Sequence, residues 1–562
     1  MKKLTGGQAA ISALQTENVR HLFGLIGSAG MEIFDALYDA SDIRFIGVRD
    51  ERTGVHMADG YARASGRAGV FLAGQNGPGA TNLVTGLAQA AAAFSPVVSI
   101  AGALSSEHVY RDAFQEVDQQ SLFLPITKKT FTVTQTARIP EIFREAFRTA
   151  LTPRRGPAHI NIPRDILAAS AEFAAAPKPS QYRLHRSPAA AEEDITAAAE
   201  LLRQAVRPLI IVGGGIKNSG GAKAALALAE TLHAPVVAAP GHGDAAPFGH
   251  RLSMGQMGPR GNAVASRLAK EADVILALGT RLGFNSTFYS FDHINAAAKI
   301  IQVELEATAI GRYFPVALGI WCDATQAAQQ LQARCVNLQG RVEAIKWAAH
   351  CRQARAAYLR EREQQAESDA HPLRPSALFK ELRRVLPKHT SITMDAGTLC
   401  LQATDALNYW RPPCLFTPLD FGLVGFSFAC GLGVKLAQPK RAVVSLMGDG
   451  GFGMTLSELS TAVLYGINTV TLVLNNQCWG AEKAYQRDFF GGRYIGADIH
   501  NPPFDKVAKL YGAAGFSVSR VADIAETVAA ALVCGKPAVV DIAVDPAALY
   551  SFRRDSFAHR KI

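Results

Sequence analysis

Hydrophobic positions along this chain occur in short runs of about five or six residues, separated by longer stretches with helical periodicity. Runs of this length, bounded by glycine, proline or polar residues, are typical of strands buried on both faces of a parallel sheet. The alternation of such strands with helices predicts three α/β domains of similar size. The predicted strands fall into three groups: Ile43–Val48, Gly69–Ala73, Val97–Ala101 and Ala158–Ile162; Pro208–Val212, Val236–Ala239, Val274–Leu278 and Ala298–Val303; Ser391–Asp395, Ala442–Met447, Thr469–Asn475 and Ala538–Val544.

Two polar segments separate these groups of strands. A proline-containing stretch at 174–188 is typical of a linker, and the charged stretch at 344–370 predicts a solvated helix that serves as a second connector. A chain of 562 residues has room for this many domains at ~100–200 residues each. We therefore predict an N-terminal domain at 1–172, a central domain at 190–345, a C-terminal domain at 374–548 and a tail at 549–562.

Composition and charge exclude several classes of protein. The net charge is +10, from 58 basic and 48 acidic residues. The basic residues form only short pairs and no stripe that alternates with aromatic residues, so we expect no nucleic-acid binding. A diffuse positive field suits small anionic substrates or cofactors, and an ordinary solvated surface is the alternative.

Targeting signals are also not expected. No apolar run reaches the ~18 residues of a membrane span, and Met1–Thr5 is followed by no sustained apolar run, which predicts neither a membrane anchor nor a signal peptide. The eight cysteines include no C-x-x-C pair. Buried, reduced thiols in a cytoplasmic protein are the expected arrangement.

The strongest chemical signal lies at the ends of two successive strands. One strand ends in Gly448-Asp449-Gly450-Gly451, and the next ends in Asn475-Asn476. Adjacent parallel strands end side by side, and open α/β sheets bind ligands beyond these ends. The glycine turn before a helix expected at 454–464 can hold a phosphate through its N–H groups. Asp449, Asn476 and a backbone carbonyl just after them, at Cys478, would give Mg²⁺ its oxygen ligands.

This Gly-Asp-Gly to Asn-Asn pattern resembles the thiamine diphosphate-dependent enzyme superfamily. The resemblance implies thiamine diphosphate and Mg²⁺ as cofactors and three doubly wound parallel-sheet domains. It also implies a glutamate in the N-terminal domain that protonates N1′ of the aminopyrimidine, so that the 4′-imine can take the proton from C2 of the thiazolium. Glu51, in "GVRDERTGVHMADGYA", fits this position at the start of a helix. Considered alone, Glu51 is an acid favoured by the helix dipole.

The family pattern assigns two more residues in "LFTPLDFGLVGFSFACGLG". Val424 is placed as the apolar wedge that bends the cofactor, and Gly422 supplies a carbonyl for the 4′-amine. Valine is smaller than the methionine, leucine or isoleucine usual at this position, so a plain core valine is the alternative. The implied cofactor-binding residues are Glu51, Gly422, Val424, Gly448, Asp449, Gly450, Gly451 and Asn476.

The order of the domains resembles the acetolactate synthase and pyruvate oxidase group, as do "GQNGPGATNLVTG" and "DAFQEVDQQSLFLPITKKT". Other stretches are similar to sulfoacetaldehyde acetyltransferases, among them "FGLIGSAGM", "QCWGAEK" and the terminal "FRRD". This resemblance implies conversion of sulfoacetaldehyde and phosphate to acetyl phosphate and sulfite. The sequences "DAGTLCLQATDAL" and "TPLDFGLVGFSF" depart from that pattern. The alternatives are an acetolactate synthase-like lyase or carboligase acting on pyruvate or another 2-oxo acid, and a catalytically silent homologue.

The resemblance also indicates where the substrates would bind. Gln115 and Ser28 could hydrogen-bond reaction intermediates, and Lys483, Arg553 and Arg554 are candidate cations for sulfonate and phosphate. His56 lies off the face of Glu51 and is interpreted as structural. Because the glutamate and metal domains of this superfamily meet between subunits, we expect a homodimer or homotetramer.

A flavin is not expected. In flavin-binding members of the group, the L-G-x-R motif is followed by an Asp-Asp-Arg stretch, whereas Arg281 here is followed by "LGFNSTFYSF". Gly213-Gly214-Gly215 does not complete a G-x-G-x-x-G motif, because Asn218 occupies its last position. The glycine run is either a plain strand-to-helix turn or the remnant of a nucleotide site.

Overall fold

The computed structural model describes the whole chain except Arg260, Gln339, Gly340, Arg553, Ala558 and residues 560–562, and for Leu338, Arg554 and Asp555 it describes the backbone alone. The candidate substrate residue Arg553 and the side chain of Arg554 therefore lie outside the described part of the chain.

The N-terminal domain is built on a six-stranded parallel sheet. The strands of this sheet are β2 His21–Leu25, β3 Arg44–Gly47, β4 Gly69–Ala73, β5 Val97–Ala103, β6 Lys129–Thr132 and β7 Ala158–Pro163. Two more strands, β1 Lys2–Thr5 and β8 Ser170–Phe173, form a short antiparallel pair. Its helices are α1 Gly6–Thr16, α2 Met31–Tyr38, α3 Glu51–Ser65, α4 Pro78–Thr81, α5 Leu83–Ala92, α6 Gln119–Phe123, α7 Ile139–Leu151 and α8 Arg164–Ala168. The sheet order is β3-β2-β4-β5-β7-β6.

The central domain repeats this architecture. Its strands are β9 Pro208–Val212, β10 Val236–Ala238, β11 Ser253–Gln256, β12 Val274–Leu278, β13 Lys299–Glu304 and β14 Leu318–Trp321, in the order β11-β10-β9-β12-β13-β14. Its helices are α9 Glu192–Gln204, α10 Gly214–Asn218, α11 Ala222–Leu232, α12 Ala263–Glu271, α13 Phe284–Thr287 and α14 Ala324–Arg334. The predicted connecting helix follows as α15, Val342–Gln365.

The C-terminal domain contains the third parallel sheet. Its strands are β15 Ser391–Met394, β16 Leu415–Phe416, β17 Val443–Gly448, β18 Val470–Asn475, β19 Ala514–Val518 and β20 Ala538–Ala543, in the order β16-β15-β17-β18-β20-β19. Its helices are α16 Pro375–Val385, α17 Thr398–Ala406, α18 Ser427–Ala437, α19 Asp449–Gly453, α20 Leu459–Tyr465, α21 Gly480–Phe489, α22 Phe504–Leu510 and α23 Val521–Val533. The prediction of three α/β parallel-sheet domains is thus confirmed.

One predicted helix is wrong in its bounds. The stretch expected to form one helix over 454–464 contains a short 3₁₀ turn at Leu456–Glu458 followed by α20, and a separate short helix, α19, precedes it. The short helix α19 begins at Asp449, because Gly448 is extended and the residues after it are helical. Helix α19 ends at Gly453, and Thr455, with a φ of −129°, separates it from the 3₁₀ turn that follows.

The N-terminal and C-terminal domains pack together through α3 and α18. A Cβ at Gly60 would lie 2.2 Å from the carbonyl oxygen of Cys430, and a Cβ at Gly433 would lie 1.9 Å from that of Met57. Glycine at both positions therefore lets the two helix backbones approach closely. Since Glu51 begins α3, this contact fixes the helix that carries it.

Two further features concern membrane spans and cysteines. Among the described residues, no helix combines the length and apolar character needed to cross a membrane. All eight cysteines are free thiols, and seven of them are buried.

Candidate cofactor and metal site

The two strand ends singled out in the sequence lie side by side. β17 and β18 pair in parallel, with Gly448 opposite Leu474. Asp449 therefore begins its helix at the same edge of the sheet at which Asn475 and Asn476 follow β18. Both Asp449 and Asn476 are buried.

Three oxygen atoms converge at this edge. The Oδ1 atom of Asn476 lies 3.2 Å from Oδ1 of Asp449 and 3.1 Å from the carbonyl oxygen of Cys478. With its amide turned over, Asn476 would donate hydrogen bonds to both oxygens; in the orientation of the structure, three acceptors face one another. Neighbouring oxygens around an octahedral Mg²⁺ with bonds of 2.0–2.1 Å are about 3 Å apart. The spacing of these oxygens therefore fits a magnesium ion, and the metal site stays a prediction.

The Asp449 carboxylate is held on its other side as well. Its Oδ2 accepts a hydrogen bond from Nδ2 of Asn501 at 2.7 Å. Burial raises the pKa of Asp449 to about 6. A bound cation would oppose this shift, because a nearby positive charge favours the ionised carboxylate.

The glycines after Asp449 leave no room for side chains. A Cβ at Gly450 would lie 2.6 Å from the ring of Trp479. A Cβ at Gly451 would lie 2.1 Å from Oδ2 of Asp395 and 3.3 Å from Cγ1 of Val424. The structure thus brings the predicted wedge, Val424, against the glycine turn that the sequence predicted to hold the diphosphate.

The loop that carries Val424 is fixed by Asp395, a residue to which sequence analysis gave no role. Asp395 follows β15 and is buried. Its carboxylate accepts the N–H groups of Gly425 at 2.9 Å and Phe426 at 2.8 Å, and burial raises its pKa to about 6. Gly422 lies in the same loop, is exposed, and has a φ of +78° that favours glycine.

Glu51 occupies the first position of α3, after Asp50, whose carboxylate caps the helix by accepting the N–H of Arg52 at 2.8 Å. The Glu51 side chain is buried, and its Oε2 accepts a hydrogen bond from Nδ2 of Asn82 at 3.0 Å. Burial raises the pKa of Glu51. The Glu51 side chain therefore holds a proton more readily than an exposed glutamate would.

Ser28 and Gln115 belong to one polar cluster, connected by Gln75. The Oε1 atom of Gln75 accepts from the backbone N–H of Ser28 at 2.9 Å and from its hydroxyl at 3.1 Å. The Nε2 atom of Gln75 donates to Oε1 of Gln115 in a short hydrogen bond. Arg164 donates to the carbonyl oxygen of Ser28 at 3.1 Å, which adds a cation to this cluster. Gln75 stands in the quoted "GQNGPG", but its identity alone did not indicate this role.

Lys483 is paired with an acidic residue, and His56 lies in the core. The amine of Lys483 forms an ion pair with Asp498, which raises the pKa of Lys483 and balances its charge. His56 is fully buried and packs edge-on against Phe426, with ring centroids 5.3 Å apart. Burial lowers the pKa of His56 to about 3, so it is neutral, as expected for a structural residue.

A cavity of about 860 Å³ lies among the three domains. Asp395 and Gly422 line it from the C-terminal domain. The guanidinium carbons of Arg154 and Arg281 lie 3.8 Å and 4.9 Å from the centre of the Phe94 ring. All three of these residues also line the cavity.

The Gly213-Gly214-Gly215 run lies beside this cavity. A Cβ at Gly215 would lie 2.6 Å from the Cα of Gly279, and one at Gly213 would lie 2.5 Å from the carbonyl oxygen of Gly279. Close packing of the turns after β9 and β12 therefore accounts for two of the three glycines. Gly214 and Gly215 also line the cavity.

Comparison with known proteins agrees with this geometry. Three family profiles match the chain: the N-terminal thiamine pyrophosphate (diphosphate) binding domain of thiamine pyrophosphate enzymes over residues 4–122, their central domain over 195–331, and their C-terminal thiamine pyrophosphate binding domain over 395–542.

Similar proteins match along nearly their whole length. The chain is 33% identical to a sulfoacetaldehyde acetyltransferase of Castellaniella defragrans, over 93% of this chain and 90% of that protein. It is 33% identical to another of Alcaligenes xylosoxydans xylosoxydans, over 99% and 96%. A probable acetolactate synthase large subunit of Methanocaldococcus jannaschii is also 33% identical, over 97% and 92%. The chain therefore belongs to the thiamine diphosphate-dependent enzyme family.

Proposed function

We propose that this protein is a thiamine diphosphate- and Mg²⁺-dependent acyltransferase that converts sulfoacetaldehyde and phosphate to acetyl phosphate and sulfite. The convergence of oxygens from Asp449, Asn476 and Cys478 is the observation that carries the cofactor part of this proposal. Its substrate part rests on similarity to the two acetyltransferases along the whole chain. The substrates are a small anionic aldehyde and an inorganic anion, which suits the net positive charge.

The residues of the site would divide the work as follows. Asp449, Asn476 and the Cys478 carbonyl would hold Mg²⁺, and the N–H groups of the glycine turn would bind the diphosphate. Thiamine diphosphate, when bound, supplies a nucleophilic carbon at C2 of its thiazolium ring. Glu51 would hold a proton at N1′ of the aminopyrimidine, a role helped by the burial that raises its pKa.

The substrate would meet the polar cluster of Ser28, Gln75 and Gln115. These side chains offer hydroxyl and amide hydrogen-bond donors to a carbonyl oxygen, and Arg164 adds positive charge beside Ser28. Lys483, Arg553 and Arg554 stay predictions as ligands for sulfonate and phosphate. For Lys483, Asp498 would have to be displaced before its charge became available to a substrate.

An acetolactate synthase-like lyase or carboligase is the second candidate. It is favoured by the equal identity, 33%, to the probable acetolactate synthase large subunit. The sequence that follows Asp395 also departs from the acetyltransferase pattern, and it lines the cavity near Gly422 through Ala396, Gly397 and Cys400. This enzyme would release CO₂ from pyruvate or another 2-oxo acid.

We further propose that the active enzyme is a homodimer or homotetramer with its sites between subunits. Glu51 lies in the N-terminal domain and the metal oxygens lie in the C-terminal domain, two halves that meet across subunits in this superfamily. Near Gln115, the side chains of Tyr110 and Phe114 are 95% and 85% exposed. A second copy that covered these aromatic side chains would remove apolar surface from water.

The two functions are separated by a substrate panel with the purified protein, thiamine diphosphate and Mg²⁺. We expect sulfite release from sulfoacetaldehyde that depends on phosphate, with acetyl phosphate formed in equal amount. CO₂ release from pyruvate without any sulfite release would contradict the proposal and support the second candidate. Asp449→Asn is the control, since it should abolish either reaction.

The flavin prediction can be checked on the same preparation. The proposed reaction is redox-neutral overall, so it requires no flavin. We expect the purified protein to lack flavin absorbance and its activity to be unchanged by added FAD. Activity that required FAD would contradict this prediction.

A further inference from the structure

The Asp449 carboxylate is held from two sides by groups that differ in kind. Its Oδ1 faces the Asn476 oxygen at 3.2 Å, and its Oδ2 accepts from Asn501 at 2.7 Å. We propose that Asn501 is a positioning residue of the cation site, which fixes the rotation of the Asp449 carboxylate so that Oδ1 points at the metal. This inference rests on the proposed magnesium site.

Asn501 comes from a separate part of the chain that is itself fixed. It lies between α21 and α22, and the next helix begins with Phe504, whose N–H donates to Oδ2 of Asp541 at 3.0 Å. Oδ1 of the same carboxylate accepts from Nδ2 of Asn475 at 3.0 Å. Asp541 lies on β20, next to β18 in the sheet, and thus connects the end of β18 to the segment that carries Asn501.

A hydrophobic contact reinforces this connection. The Phe504 ring is buried and packs edge-on against Phe452, with centroids 5.1 Å apart. Phe452 belongs to α19, the helix that begins at Asp449. The segment of Asn501 is therefore attached both to the strand that supplies Asn476 and to the helix that supplies Asp449.

The loss of this amide should weaken the site without removing a metal ligand. A carboxylate that has lost its partner on Oδ2 is held less firmly against rotation, because among the described residues Asn501 gives the only side-chain hydrogen bond to Asp449. Residues that orient metal ligands in this way typically contribute about 10- to 100-fold to metal affinity. We therefore expect Asn501→Ala to raise the Mg²⁺ concentration required for cofactor binding by about that factor.

The test measures binding rather than turnover. Thiamine diphosphate is titrated at a series of Mg²⁺ concentrations, with intrinsic tryptophan fluorescence as the signal, because Trp479 packs against Gly450 beside the site. Turnover at saturating Mg²⁺ is then compared with the wild type and should be reduced much less than the affinity. Thermal unfolding reports whether the variant is folded.

Three further variants make the result specific. Asn501→Leu keeps most of the side-chain volume without a donor and should lose affinity like Asn501→Ala, whereas Asn501→Gln keeps an amide donor and should lose less. The matched control is Asn468→Ala, because Asn468 donates to the carbonyl of Gly535 near the opposite end of β18. It should bind Mg²⁺ as the wild type does.

The possible outcomes distinguish this inference from the proposed function. If folded Asn501→Ala and Asn501→Leu require no more Mg²⁺ than the wild type does, the inference is wrong, while the metal site still stands. If the wild type itself shows no Mg²⁺-dependent binding of thiamine diphosphate, the proposed cofactor site fails, and the inference fails with it. A shift confined to the Asn501 variants that lack the donor would support the inference.

Discussion

Asn475 and Asn476 are consecutive residues, yet their side chains contact two different carboxylates. Nδ2 of Asn475 donates to Asp541 at 3.0 Å, while Oδ1 of Asn476 lies 3.2 Å from Oδ1 of Asp449. Successive residues at a strand end point to opposite faces of the sheet, so a pair of amides can serve both. Asn476 therefore faces the candidate metal, and Asn475 supports a neighbouring segment.

Replacement of Glu51 should remove turnover and leave cofactor binding largely intact. Glu51→Gln keeps the size of the side chain and an acceptor for Asn82, but it cannot hold or release the proton. We expect turnover to fall by about 10²- to 10⁴-fold. Steady-state kinetics and a fluorescence titration with thiamine diphosphate measure the two effects separately. Glu193→Gln, at an exposed position in α9, is the control and should have no effect; unchanged turnover in Glu51→Gln would show that the proposed proton role is wrong.

Active sites between subunits predict that two inactive variants can restore one another. Glu51→Gln damages the N-terminal half of a site and Asp449→Asn damages the C-terminal half. In a mixed dimer, one site collects both changes and the other collects neither. Random mixing on coexpression should therefore return roughly a quarter of the wild-type activity.

Coexpressed, differently tagged variants purified through both tags isolate the mixed dimer, which should show roughly half of the wild-type activity because one of its two sites is intact. Each variant purified alone is the control and should be inactive. If every site were built within one chain, each site in the mixed dimer would carry one damaged residue. An inactive mixed dimer would therefore contradict the predicted assembly.

Asp395 should make the stability of the folded protein fall as pH rises from about 4 to about 6. Burial raises its pKa from 3.8 to about 6, so over this interval the folded state keeps a proton that the unfolded chain has released. Because the folded state binds more protons, the contribution of Asp395 to the free energy of unfolding decreases with pH there, and is constant above it. The total change is about 3 kcal/mol.

Asp395→Asn stays neutral, so the comparison with the wild type isolates this effect. Melting temperatures measured from pH 4.5 to 7.5 should rise in the variant relative to the wild type as pH increases. Other buried carboxyl groups, such as Glu51 and Asp449, shift both proteins alike. Parallel curves for the two proteins would show that Asp395 keeps an ordinary pKa.

The sequence predicted the parts of the site that depend on local order along the chain. Asp449 and Asn476 could be found because the ends of adjacent parallel strands share one edge of a sheet. Glu51 could be proposed because it begins a helix directly after a strand and fits the family pattern, and its catalytic role stays a prediction. The twelve predicted strands lie within about two residues of their observed bounds, since buried strands are short apolar runs.

The supporting residues could not be predicted in the same way. Each forms a hydrogen bond with a residue far away in the sequence. Asp395 is bonded to Gly425, 30 positions away, and Gln75 to Gln115, 40 positions away. Asn501 is bonded to Asp449, 52 positions away. Each is an ordinary polar residue in its own neighbourhood, and only the fold brings it to its partner. The predicted bounds of the helix over 454–464 were also wrong. The glycine-rich turn after Asp449 begins a helix, although its glycine content does not favour one.

Gly451 and Gly453 provide a matched pair, since they lie two positions apart in α19 but have different surroundings. A Cβ at Gly451 would lie 2.1 Å from Oδ2 of Asp395, whereas a Cβ at Gly453 would have no heavy atom within 4 Å among the described residues. Gly451→Ala should displace Asp395 from the N–H groups of Gly425 and Phe426, at a cost of about 1–3 kcal/mol. The loop that carries Val424 would shift with it, and the affinity for thiamine diphosphate should fall by roughly tenfold or more.

Gly453→Ala should be neutral or slightly stabilising, because alanine restricts the unfolded chain without a clash in the folded one. Melting temperature and a titration with thiamine diphosphate at saturating Mg²⁺ measure both variants under the same conditions. Since both changes add one methyl group to the same helix, a difference between them reports the contact with Asp395 and Val424. Equal behaviour of the two variants would mean that the glycine turn tolerates a side chain at Gly451 and that Asp395 does not hold the wedge loop in place.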